Sequence, residues 1–95
     1  MARFTVRVEL RDPHESDYLE LHKIMELKGF SRTLTTNTSG VVYQLPVGEY
    51  AYESETMDNV AVGKLVEAIA EKIRPNPMIL VTQSAGRYVL NLTRI

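Results

Sequence analysis

Arg3, Arg7 and Arg11 recur every four residues at the start of the chain, with Glu9 between the last two. Guanidinium groups match phosphate oxygens in pairs, so a row of them is suited to a phosphodiester backbone. In a strand, residues four apart share a face and lie about 13 Å from each other. Arg32 is a fourth candidate phosphate ligand. Glu9 could take a proton, or hold a divalent ion together with backbone oxygens. His22 is the second titrating candidate, because an imidazole exchanges its proton near neutral pH. Cleavage of RNA by its own 2′-hydroxyl needs a base, an acid and a cation near the phosphate, and His22 with an arginine supplies these in principle. Each residue also has a plainer reading. The arginines would form a solvated face, Glu9 would balance their charge, and His22 would be a half-exposed structural residue beside Tyr18.

Other chemistries find no support. The chain has no cysteine, so disulfides and thiol chemistry are excluded. His14 and His22 lack a metal-ligand spacing, no glycine-rich phosphate loop occurs, and no nucleophile-elbow sequence is present. No cofactor is implied. The first residues read as a strand rather than a signal peptide, and no apolar run is long enough to span a membrane. A cytoplasmic protein of one domain, 1–95, is the expectation, with 44% hydrophobic and 24% charged residues.

The elements that must position these residues follow from periodicity. In "RFTVRVEL" Phe4, Val6, Val8 and Leu10 alternate with the polar set, which predicts a strand with one face on a core. A helix follows, with Asp12 as N-cap, Pro13 in the first position and Glu15 as the capping acid. Its apolar stripe is Tyr18, Leu21, Ile24, Met25 and Leu27, and Gly29 ends it with Phe30 folding back. A hairpin pairs 31–36 with 41–45 around Asn37, Ser39 and Gly40, and Glu49–Ser54 resumes the second strand as an edge. A second helix is capped by Thr56, buries Val62, Leu65, Val66, Ile69 and Ile73, and stops at Pro75. Two last strands flank a turn at Ser84, Ala85 and Gly86. The order β-α-β-β-α-β plus a final strand predicts an α+β, ferredoxin-like sandwich. It has one antiparallel sheet, both helices on one face, and an additional C-terminal strand.

The net charge is −1, but its distribution is uneven. Arg3, Arg7, Arg11, Arg32, Arg87 and Arg94 fall on strand segments. Acids gather in the first helix and at Glu49, Glu53, Glu55 and Asp58. That partition predicts a basic open sheet face separate from an acidic loop.

"RFTVRVEL", "LHKIMELKGFSRTLT" and "VVYQLP" together resemble the GhoS family of small ferredoxin-like endoribonucleases, type V antitoxins that cut a toxin's messenger RNA. The resemblance covers most of the first 55 residues and the element order beyond. It places the family's first-strand carboxylate on Glu9, with Glu for Asp, and a basic helix position on His22. It implies RNA as partner, held by Arg3, Arg7, Arg11 and Arg32. It also implies a homodimer through a sheet edge, with 87–95 as the edge. The alternative is a non-enzymatic phage or prophage protein that binds a host protein through its open face or acidic loop.

Overall fold

Alternation at the start of the chain produces β1 (Ala2–Glu9), with Phe4 and Val6 fully buried and Val8 and Leu10 nearly so. The computed structural model describes residues 2–35, 40–86, 90 and 92–95. After β1 come α1 (Glu15–Leu27), β2 (Thr33–Thr35), β3 (Val42–Gln44), β4 (Glu49–Ser54), α2 (Asn59–Glu71), β5 (Met78–Gln83) and β6 (Thr93–Arg94). The fold is α+β. β1 is the middle strand of an antiparallel sheet ordered β4-β1-β5, so α2 connects two strands that flank β1. Leu21 and Met25 of α1 and Val62, Val66 and Ile69 of α2 close over Phe4, Val6 and Val8 in one buried cluster. Both helices therefore cover the apolar face of β1.

The expected single sheet is instead two. β2, β3 and β6 form a second antiparallel sheet, joined to the first, among the described residues, by one bridge between Ser31 and Ala51. Pro46 and Gly48 cause the separation. Proline cannot donate to a ladder, and Gly48 takes φ +86, so the strand that began at Val42 cannot run on. Glu49–Ser54 is accordingly no continuation of β3. It is a strand in its own right and pairs with β1 along six residues. The final strand also differs from expectation: β6 is short and pairs with β3. Residues 87–89 and 91 of the predicted 87–95 strand lie outside the described residues, as do Asn37 and Ser39 of the hairpin turn.

The helix ends shift for local reasons. Asp12 adopts φ +46 before Pro13, so it turns the chain rather than capping it. His14 is the N-cap of α1, and its N–H donates to the Asp17 carboxylate at 2.8 Å. Asp17 also accepts from Arg74 Nε at 2.7 Å, which ties the start of α1 to the chain after α2. That guanidinium, followed by the His14 N–H, holds the Asp17 carboxyl below its usual range. Asp58 rather than Thr56 caps α2, accepting from Ala61 N at 2.8 Å. Ser54 Oγ takes the Thr56 and Met57 N–H groups first, so the helix starts later. α1 ends as expected. Gly29 N–H reaches the Glu26 carbonyl and Phe30 N–H the Met25 carbonyl, with Gly29 at φ +92. Leu27, however, is exposed: it lies about 200° around the helix from Met25.

Candidate nucleic-acid interface

Arg3, Arg7 and Glu9 project from the face of β1 that the helices leave open, and all three are exposed. The antiparallel register with β4 sets Arg3 opposite Glu53 and Arg7 opposite Glu49. Arg3 Nε lies 3.5 Å from Glu53 Oε1. Glu49 and Glu53, predicted to belong to a separate acidic loop, thus share the face with the arginines. Local periodicity could not reveal this, because register is set between distant segments.

The row of arginines stops at two. β1 ends at Glu9, and Arg11 instead donates Nε–H to the Asn76 carbonyl at 2.6 Å, in the connection between α2 and β5. Arg32 is half-buried, and among the described residues its buried Nε has no hydrogen-bond partner. It lies close enough to His22 and Tyr50 to influence both electrostatically. Arg32 therefore belongs to the helix-covered side rather than to the Arg3 and Arg7 face.

His22 is buried, with 8% of its surface exposed, in place of the half-exposed position expected. Its Nδ1 shares a hydrogen bond with the Tyr50 hydroxyl, and its ring packs between Tyr18 and Tyr50. The Tyr18 hydroxyl in turn accepts the Leu10 N–H at 3.0 Å. Burial, followed by the nearby Arg32 charge, makes His22 harder to protonate than a free imidazole. Burial likewise pushes the Tyr50 hydroxyl well above its ordinary value. Glu9 stands on the opposite face of the sheet. The fold does not bring Glu9 and His22 around one phosphate.

A different group of side chains does share a space. After the single Ser31–Ala51 bridge, β2 diverges from β4 and leaves a groove of about 400 Å³. Arg3, Glu53, Ser31, Thr33 and Thr35 line it. Ser31 Oγ and Thr33 Oγ1 are 2.9 Å apart, and Ser31 Oγ accepts the Thr33 N–H. The sequence signal was the alternation in "SRTLT", which puts three hydroxyls on one side and buries Leu34 on the other. A second depression, of about 200 Å³, lies against Arg7, Glu9, Met78 and Leu80.

Among the described residues, no group of three His, Cys, Asp or Glu side chains is placed to hold a metal ion. No helix among them is long and apolar enough to cross a membrane. No protein-family model matches the chain, and no curated protein matches it.

Proposed function

We propose that this chain is a GhoS-like, ferredoxin-like RNA-binding protein that cuts a toxin's messenger RNA in the cytoplasm, and that the RNA lies in the groove beside Arg3. The composition of that groove carries the reading. Beside Gly29, Leu34, Ala51 and Tyr52, its lining brings Arg3, Glu53 and the hydroxyl residues Ser31, Thr33 and Thr35 to a single space, and these are groups a phosphodiester and its ribose call for. The element connections support the ferredoxin-like part. β4 and β5, joined by α2, flank β1, and the Ser31–Ala51 bridge puts the segment after α1 on the outer side of β4. That interleaving is the pattern of a split βαβ repeat. The antitoxin role rests on the resemblance of "RFTVRVEL", "LHKIMELKGFSRTLT" and "VVYQLP" to the GhoS family.

Arg3 holds the phosphate. Its pair with Glu53 is half-exposed on both sides, and such pairs contribute about 0–1 kcal/mol, so the guanidinium can turn to an incoming oxygen. Glu53 is the base within the groove, a role that Glu9 and His22 are too far around the fold to fill. It takes the proton of a 2′-hydroxyl, whose oxygen attacks the adjacent phosphorus. The bond from phosphorus to the 5′-oxygen breaks, and that oxygen leaves with a proton from water. The products are a 2′,3′-cyclic phosphate and a 5′-hydroxyl, and Arg3 offsets the charge that builds on the phosphoryl oxygens. Glu9 and Glu49 confine phosphate contact to the groove, so binding is modest and, with one arginine neutralising one phosphate, weakens only gently with salt.

Incubation with a single-stranded RNA at low salt tests this reading. Glu53→Gln is expected to keep RNA binding and lose about 10²–10⁴-fold in cleavage rate, the usual worth of a general base. Arg3→Ala is expected to weaken both. Native protein that binds no RNA under these conditions would refute the reading.

A further inference from the structure

Arg7 and Glu9 occupy the end of the open face away from the groove. Arg7 stands opposite Leu80 of β5, and Glu9 opposite Met78. Arg3 pairs with Glu53, whereas Arg7 and Glu9 make no ion pair among the described residues. Arg7 stays unpaired even though Glu49 is its direct neighbour on β4. Met78 is 41% exposed and Leu80 64% exposed on the same patch. The result is two adjacent rows, Arg7 with Leu80 and Glu9 with Met78, each a charge beside an apolar side chain. Together they border the depression of about 200 Å³.

This pattern complements itself. A two-fold axis running across the strands, over Val8 and Ile79, turns each row onto the other row of a second copy. Arg7 then faces the second copy's Glu9, Glu9 faces its Arg7, and Leu80 and Met78 cover one another in both directions. We propose that this patch docks a second copy of the chain, sheet face to sheet face, as a homodimer. The proposal is independent of the RNA reading. It also differs from a dimer through the 87–95 edge, since the contact is made by side chains on the face. Charge favours a second copy over nucleic acid here, because Glu9 and Glu49 would repel phosphates from this end. A patch built on four central side chains falls at the small end of specific interfaces, so association is weak and depends on concentration.

Sedimentation equilibrium over about 10 µM to 1 mM, a range suited to weak pairing, tests it. The mass is expected to rise from one 10.8 kDa chain toward twice that value. Arg7→Glu sets acid against acid and Glu9→Arg sets base against base. Each is expected to lower the association constant about tenfold or more. The double variant Arg7→Glu/Glu9→Arg restores opposite charges across the axis and is expected to recover dimerisation. All four side chains of the patch are exposed, so the variants keep the fold, which circular dichroism checks. A chain that stays monomeric throughout, or a dimer indifferent to Arg7→Glu, would overturn the proposal. So would a double variant no tighter than the singles.

Discussion

Gly48→Ala is expected to lower stability by about 3 kcal/mol, which for a domain of this size is a melting temperature roughly 12 °C or more lower. Two costs combine. Gly48 sits at φ +86, a conformation that costs a side chain roughly 1–2 kcal/mol. A Cβ there would also lie 2.5 Å from the Val8 carbonyl oxygen, which is backbone and cannot swing aside. Gly48 is held against β1 at that point, where its own carbonyl accepts the Val8 N–H at 2.7 Å. Gly40→Ala is the matched control. Its φ is +68, but nothing stands within 4 Å of its would-be Cβ, so only the conformational cost remains. Equal losses at the two sites would contradict the account of how β4 is delivered to β1.

Tyr50→Ala is expected to cost about 3–5 kcal/mol, the range for removing a large ring from a core, and so a large part of the stability of a small domain. Tyr50 of β4 is fully buried, paired with Val6 of β1 and hydrogen-bonded to His22 of α1. Tyr50→Phe keeps the ring but leaves the His22 imidazole buried without its partner, at about 1–3 kcal/mol. The same contact makes folding sensitive to acid. His22 is harder to protonate when folded than at its ordinary value of 6.5 when unfolded. The unfolded chain therefore binds more protons, and stability falls as pH drops below about 6.5 toward the lower folded value. Urea denaturation at pH 7.5 and 5.5 reads this directly. Asp17, whose carboxyl is depressed from 3.8, adds its loss only at still lower pH. His22→Phe is expected to flatten the decline between the two pH values, and an unchanged decline would count against the buried histidine as its source.

Where the fold was legible, the signal was local. The period of two in "RFTVRVEL" marked β1 and its buried half, and the i, i+4 spacing of Leu21 and Met25 and of Val62 and Val66 marked both buried helix faces. Gly29 before Phe30 marked the end of α1 because only a residue at positive φ closes that turn. What escaped was set between distant segments. "EYAYES" alternates as clearly as β1, yet nothing in it says that its partner is β1, or that the pairing sets Glu53 and Glu49 beside Arg3 and Arg7. Spacing alone predicts a three-arginine row, but the strand ends at Glu9 and turns Arg11 away. His22 lay close to an apolar stripe, but its burial depended on Tyr50 arriving from β4. The groove likewise exists only because two strands part after one bridge.

Backbone amide shifts during titration with a short single-stranded RNA test whether RNA lies in the groove beside Arg3. Shifts are expected at Arg3, Ser31, Thr33, Thr35 and Glu53, shrinking as salt is raised, with the outer surfaces of α1 and α2 unchanged. Shifts confined to the helices, or RNA bound while the groove amides stay still, would contradict this placement.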